Sequence, residues 1–257
     1  MVQSVHRAAQ ILRTLAARGP RLGVTELADH LGVAKATAHA LLRTLESEGL
    51  VRQDAETGRY QLGPGLLQLG NAYLETHELR ARSLTWADAL AGESGEAVWV
   101  GVLTDDHLLV VHHAFRPEGA VQILEVGASI PWNACALGKV IVAQLPLDDQ
   151  ARLLAGELPK LTGRTLSTAP EIERDLERIR EVGYAVEDQE AALGDASIAA
   201  PVFDRSGLVI GSIGIVGPVE RVLEPESQQH LAVSVREVAR NLSRDLGASR
   251  TTFRHRE

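Results

Sequence analysis

The stretch Ala34-Lys35-Ala36-Thr37-Ala38-His39-Ala40-Leu41-Leu42-Arg43-Thr44-Leu45-Glu46-Ser47-Glu48 decides the fold of the first part of the chain. As a helix it places Ala38, Leu41, Leu42 and Leu45 on one face at the i, i+3, i+4, i+7 spacing. Lys35, Ala36, His39, Ala40 and Arg43 then share the opposite face, with no acid before Glu46. Such a face suits a DNA major groove. Alone, it reads equally as a solvated helix face, so the flanking sequence has to decide.

Upstream, Ser4 to Ala16 predicts a helix with Ser4 as N-cap and Val5, Ala8, Ala9, Leu12 and Leu15 as its apolar stripe, stopped by Gly19-Pro20. Thr25 predicts the N-cap of a second short helix, Glu26 to Leu31, and Gly32 supplies the turn. Helix, glycine turn and helix at this spacing form a helix-turn-helix. Downstream, Gly49 ends the helix. Leu50 to Gln53 reads as a strand, Asp54 to Gly58 as a turn and Arg59 to Leu62 as a second strand. A hairpin directly after a recognition helix is a wing, and Arg59 stands where a wing reaches DNA backbone or minor groove. Pro64 to Tyr73 predicts a linker helix whose Leu66, Leu67 and Leu69, with Leu74 beyond, call for a second copy of the chain.

The chain has 257 residues, 45% hydrophobic and 23% charged, which implies a globular protein of one large or two modest domains. The single cysteine excludes an intramolecular disulfide and any cysteine-cluster zinc site. No signal-peptide-like or membrane-length apolar run is present, so cytoplasmic residence is expected. Net charge is −8, an acidic balance for a DNA binder, but it is unevenly spread. Residues 1–70 hold eight Arg/Lys against six Asp/Glu, a net of +2, and the remainder 18 against 28, a net of −10. The acidic portion should not lie along nucleic acid.

After residue 76, His77 to Gly92 predicts a helix. Strands are expected at Ala97 to Leu103, Leu108 to Ala114 and Val121 to Leu124, then helices at Ala134 to Gln144 and Asp148 to Leu154. Thr168-Ala169-Pro170-Glu171 reads as a capping box opening a helix to Val182, which stops at Gly183. Strands Tyr184 to Asp188, Ser197 to Phe203 and Leu208 to Val216 follow, and a helix from about Glu226 to Leu246 closes an α/β sensor-like domain before a frayed tail.

Catalytic readings of this second domain are thin. Cys135 near a helix start could be an activated thiol, or a small buried residue lining a pocket. His112 and His113 adjoin in a strand and point to opposite faces. Glu187, Asp188 and Glu190 could hold a metal, or form a solvated loop rim. No phosphate loop is present: Gly211, Gly214 and Gly217 lie in or just after a strand. A binding reading fares better, because small residues from Ala134 to Lys139 leave backbone N–H groups accessible at a helix start. The Glu187 to Ser197 loop would form the facing wall.

Val24-Thr25-Glu26-Leu27-Ala28, Gly32-Val33-Ala34-Lys35, His39-Ala40-Leu41-Leu42, Gly49-Leu50-Val51 and Gly58-Arg59-Tyr60-Gln61-Leu62-Gly63 resemble the winged-helix domain of IclR-type transcriptional regulators. Pro131, Ala134 to Lys139, Gly183-Tyr184, Ala199-Ala200-Pro201 and Gly214-Ile215-Val216-Gly217-Pro218 resemble the GAF-like effector domain of the same family. The resemblance implies an α+β chain: a winged helix-turn-helix DNA-binding domain over 1–63, a linker helix over 64–76, and a GAF-like α/β effector-binding domain over 77–250. It also implies a homodimer or homotetramer, double-stranded operator DNA, no cofactor, no metal, no membrane and no catalysis. Within the family, Gly58 to Gly63, His77 to Arg82 and Val110 to Pro117 are most similar to the glycerol-operon repressors of actinomycetes, which implies glycerol or glycerol 3-phosphate as inducer.

The expected DNA contacts are Thr25, Lys35, Ala36, Thr37, His39, Arg43 and Arg59. Ala36 stands where many relatives carry Ser or Thr, which removes a phosphate contact and a helix cap. The family's pocket falls on Ala136, Leu137, Glu187 and Ser197, with Asp195 replacing an apolar residue of keto-acid binders. The extra acid suits a polyol that donates hydrogen bonds; a phosphate ester would need an offsetting cation. The competing readings are a small-molecule enzyme that keeps a DNA-binding appendage, and an activator of the same family answering a different metabolite.

Overall fold

The structure is a computed structural model that describes residues 1–19, 21–118 and 122–249. It divides into two compact units, Met1–Thr76 and His77–Glu257.

The first unit is built from α1 (Gln3–Arg18), α2 (Val24–Leu31) and α3 (Lys35–Ser47), the hairpin strands β1 (Val51–Gln53) and β2 (Tyr60–Leu62), and α4 (Gly65–Glu75). The predicted stripe of α3 is the buried one: Ala38, Leu42 and Leu45 join Ile11 and Leu15 of α1, Leu27 of α2, Val51 and Tyr60 as buried residues, with Leu41 partly buried beside them. Gly32 ends α2 in the left-handed conformation, φ 63°, which sets the turn into α3. Val51 pairs with Leu62 and Gln53 with Tyr60. Tyr60 also exchanges both backbone hydrogen bonds with Leu22, so the wing is tied to the segment before α2.

The caps differ from expectation. α1 begins at Gln3 behind Val2, with no side-chain cap, so Ser4 is already inside the helix. Gly23, not Thr25, is the N-cap of α2. Glu26 reaches back to accept the Gly23 N–H at 2.6 Å, and that bond sets the start two residues earlier and leaves Thr25 exposed. Pro20, expected to stop α1, lies outside the described residues.

The second unit is one six-stranded antiparallel sheet in the order β5-β4-β3-β8-β7-β6. Its strands are β3 (Ala97–Thr104), β4 (His107–Ala114), β5 (Ser129–Pro131), β6 (Ala185–Asp188), β7 (Asp195–Phe203) and β8 (Val209–Pro218). Long strands alternate, so each feeds two faces. On one face α5 (Glu78–Ser94) and α10 (Pro225–Asp245) pack together. On the other lie α6 (Ala136–Val142) and α8 (Ala169–Val182), and Ser212 Oγ of β8 donates to the Leu137 carbonyl of α6 at 2.9 Å. α7 (Leu147–Leu154) and the short α9 (Val219–Val222) complete the unit.

Three expectations for this unit change. Gln122 to Leu124 is not a strand, and Val121 lies outside the described residues; Gln122 instead braces the Arg116 backbone through both ends of its amide, and β5 takes the place beside β4. The helix expected from Ala134 is broken, because Trp132–Ala134 forms a single 3-10 turn and Cys135 is extended before α6 begins. Gly138 permits that arrangement, since a Cβ there would sit 2.5 Å from the Trp132 carbonyl oxygen. Thr168 does cap α8, but its hydroxyl donates to the Glu171 carboxylate and accepts no backbone N–H. The tail expected to fray lies outside the described residues from Arg250 onward.

At Gly63 a Cβ would stand 2.3 Å from the Gly49 carbonyl oxygen, so the wing's exit and the end of α3 touch backbone to backbone. Gly63→Ala should therefore destabilise the first unit by about 1–3 kcal/mol, the usual cost of overpacking. Gly92→Ala on the exposed side of α5, where a Cβ meets nothing within 4 Å, should be neutral or slightly stabilising. Urea midpoints of the two variants check this; equal midpoints would contradict the close approach.

Candidate functional site

In the first unit, the solvent face of α3 carries Lys35, Ala36, His39, Ala40 and Arg43 as exposed residues, with Thr37 partly buried at its edge. They are held there by the opposite stripe, whose Leu42 and Ala38 are fully buried. Lys35 and Arg43 have no ion-pair partner among the described residues, so their charge is available. Thr25 is exposed in the first turn of α2. Arg59 is more constrained than the sequence suggests. Its guanidinium donates to the Arg21 carbonyl at 3.0 Å and lies 3.5 Å from the Glu26 carboxylate. Arg21 in turn pairs with Asp54 at 3.0 Å. Arg59 and Arg21 are thus engaged in holding the wing to α2 and to the segment before it.

In the second unit, four of the five expected pocket residues come together. Glu187 of β6 faces Ser197 of β7 across the ladder, and both are 3% exposed. Ser197 Oγ donates to Glu187 Oε2 at 2.9 Å and accepts the Ala136 N–H at 3.4 Å. Glu187 Oε1 accepts the N–H of Ala191 at 3.2 Å and that of Glu190. Leu137 follows in the buried start of α6. Burial raises the Glu187 pKa, against the pull of the Ser197 hydroxyl and the two backbone donors. The site is a shielded carboxylate beside a hydroxyl, an acceptor-rich spot matched to hydroxyl donors.

Asp195 does not join it. The residue is exposed at the first position of β7. What burial it has, and the Glu220 carboxylate of α9, raise its pKa.

Sequence reasoning missed the strongest electrostatic feature nearby. Lys139 of α6 is 1% exposed, with its ammonium 2.6 Å from Glu190 and 3.0 Å from Asp175 of α8. It also donates to the Val186 carbonyl at 3.4 Å. Burial opposes its charge, but Glu190 and Asp175 outweigh that and raise its pKa. Glu187 and Glu190 are therefore buried and bonded, not a solvated rim; Asp188 alone is at the surface, paired with Arg164. Among the described residues no group of His, Cys, Asp and Glu could hold a metal ion. The Cys135 thiol is buried, and burial pushes its pKa up to about 12, so it is a neutral packing group and a poor nucleophile.

Comparison with known proteins finds a family match in both parts of the chain. Residues 4–55 match the IclR helix-turn-helix domain, and residues 71–244 match the C-terminal domain of the bacterial transcriptional regulator IclR. A glycerol operon regulatory protein of Streptomyces griseus is 48% identical over 97% of this chain and 98% of its own length. A protein of the same name from Streptomyces coelicolor is likewise 48% identical over 97% of this chain. A crystal structure of an IclR transcriptional regulator from Alicyclobacillus acidocaldarius superposes with a TM-score of 0.82 at 29% identity, covering 95% of this chain and 98% of that one. No helix among the described residues is long and apolar enough to cross a membrane. With both domains matched in order across nearly its whole length, the chain belongs to the IclR family of bacterial transcriptional regulators.

Proposed function

We propose that this regulator represses a glycerol operon or a related carbon-catabolic operon, and releases its operator when a small polyol or polyol phosphate binds the second unit. The observation that carries the reading is the 48% identity, over nearly the full chain, to proteins named for the glycerol operon. The buried Glu187–Ser197 pair supports it, because a carboxylate accepts the hydroxyl protons that a polyol offers. Residues 1–63 would bind DNA, 64–76 would link, and 77–250 would bind effector. The working form is a homodimer or homotetramer in the cytoplasm, with paired recognition helices meeting the two halves of an operator. The effector acts only by its different affinity for the DNA-competent and DNA-incompetent arrangements. Lys35, Thr37, His39 and Arg43 form the reading face, with Thr25, Ala36 and Arg59 at its margins. The protein is read as a regulator without catalytic activity.

Arg43→Ala should weaken operator binding by about 1–3 kcal/mol if the guanidinium reads a base. A gel-shift series giving unchanged affinity would remove Arg43 from the contact set. Calorimetry on the full chain with glycerol and with glycerol 3-phosphate tests the effector. Heat with at least one, lost in Glu187→Gln, is expected; no heat with either ends the glycerol reading and leaves the family standing.

Glu187 also sets a pH dependence. Its pKa is raised in the folded chain, so the unfolded chain gives up that proton first as pH climbs. Relative to Glu187→Gln, wild type should therefore be at its best below the ordinary carboxylate range and lose ground as pH rises through the raised value. Urea midpoints of both proteins across that window report it, and a pH-independent difference would show that Glu187 is not penalised by burial.

A further inference from the structure

Two side chains on the α6 face of the sheet carry polar hydrogens that nothing among the described residues accepts. Trp99 Nε1 of β3 and His113 Nε2 of β4 are shielded from solvent and have no hydrogen-bond partner. They are cross-strand neighbours, with ring centroids 6.0 Å apart in an edge-to-face contact. His113 is 6% exposed. Its Nδ1 accepts the Glu125 N–H at 3.2 Å, which fixes the ring proton on Nε2. Burial, and His112 next to it, hold its pKa below the ordinary histidine value, so the ring is neutral with one donor.

The register relates this pair to Glu187 and Ser197. His113, Trp99, Gly214 and Ala199 form one row across β4, β3, β8 and β7. The adjacent row on the same face is Ala97, Val216, Ser197 and Glu187. Trp99 packs against the cluster that contains Cys135, Ala136 and Ala199. Between Trp99 and Ala199 stands only Gly214, which has no side chain. Strands lie about 4.8 Å apart, so Trp99 and Ser197 belong to strands separated by about 10 Å.

A buried donor without an acceptor costs free energy in the unliganded fold and returns it when a ligand oxygen arrives. We propose that Trp99 and His113 are the second pole of the effector site, a pair of neutral N–H donors that takes the acceptor oxygens of a phosphate monoester. The inference rests on the reading of Glu187 and Ser197 as the first pole, which takes hydroxyl protons. The effector class is then a short polyol phosphate: hydroxyls at one end, anionic oxygens at the other. Neutral donors can hold an oxyanion when they are pre-placed and water is excluded. Trp132 Nε1, in the turn leading into α6, is also buried without a partner, while Trp86 donates to Asp245 at 2.8 Å; the two serve as internal references.

The test uses the full chain with its three tryptophan indoles labelled with 15N, titrated separately with inorganic phosphate, glycerol 3-phosphate and glycerol. The Trp99 indole N–H resonance is expected to move with phosphate and with the ester, and to stay with glycerol. Trp99→Phe assigns it, or Trp86→Phe and Trp132→Phe by elimination if that variant does not fold. Trp99→Phe and His113→Phe should each weaken the ester about tenfold, one hydrogen bond's worth, and leave glycerol unchanged; His113→Gln, which keeps a donor, should recover part of the loss. A Trp99 resonance unmoved by saturating ester whose binding depends on Glu187 overturns the donor pole and spares the site. A Trp99 shift with phosphate, and no effect of Glu187→Gln on any ligand, leaves the donors standing and discards the first pole. No binding of either anion, with glycerol still bound through Glu187, overturns the donor pole alone; no binding of any of the three overturns both.

Discussion

A lysine ammonium can be charged inside a protein only if the groups around it replace the water it has lost. Lys139 meets that condition through Glu190, Asp175 and the Val186 carbonyl, and the second unit is arranged around those contacts. The lysine comes from α6, the aspartate from α8, and the glutamate from the turn between β6 and β7. Glu190 does more than pair: its second oxygen accepts the Leu166 N–H, and its carbonyl accepts the Thr165 hydroxyl. The segment before α8 is bound in by these bonds, and Asn133 holds it from the other side through the Pro159 and Leu166 carbonyls. Buried ion pairs add little net stability over an apolar core, but losing one partner leaves a bare charge. The cluster therefore acts mainly by fixing which helix, turn and strand end meet. Glu187 is three residues from Glu190 and accepts its N–H, so the carboxylate beside Ser197 is positioned by the same turn.

The first unit meets a different constraint. Its core is small and must present a helix outward while keeping a two-strand wing in place. Tyr60 is the anchor, buried at 1% exposure and bonded to Leu22 through both backbone groups. Gly63 lets the strand leave against Gly49. Arg59 and Arg21 brace the wing from its edge through Glu26 and Asp54. Bracing by charge lowers the wing's own positive field, while Lys35 and Arg43 on α3 keep theirs unpaired among the described residues.

The sequence was legible wherever the determinant was local. The stripe of α3 follows from period, the turn at Gly32 from a left-handed residue, and the opposite faces of His112 and His113 from strand alternation. Helix starts were less legible, because Glu26 and Glu171 use their carboxylates in ways that compete with the Ser/Thr cap pattern. Cys135 interrupts a helix for a reason that lies in the backbone of Trp132, which a pattern of small residues does not encode. Asp195 shows the limit of alternation: it shares parity with Ser197, but a strand's first residue is covered only if something packs over it. Lys139 was visible as a residue and invisible as a site, since Glu190 lies 51 positions away and Asp175 on another helix. The family resemblance located Glu187 and Ser197, and period alone would not have joined them.

These constraints bear jointly on what the proposed effector site could hold. A carboxylate already shielded from water, with its pKa raised by burial, resists a second negative charge beside it. Lys139 is the only buried cation among the described residues, and its charge is met by two carboxylates. It has none to lend to an incoming anion. A small keto acid, whose charge would fall next to Glu187, is therefore disfavoured, and hydroxyl donors are favoured there. Any anionic group on the ligand must sit away from Glu187 and be met by neutral hydrogens. Along this face of the sheet Gly214 meets Ala199 too closely to carry a side chain of its own, and on the strands beyond it Trp99 and His113 hold donors unspent among the described residues.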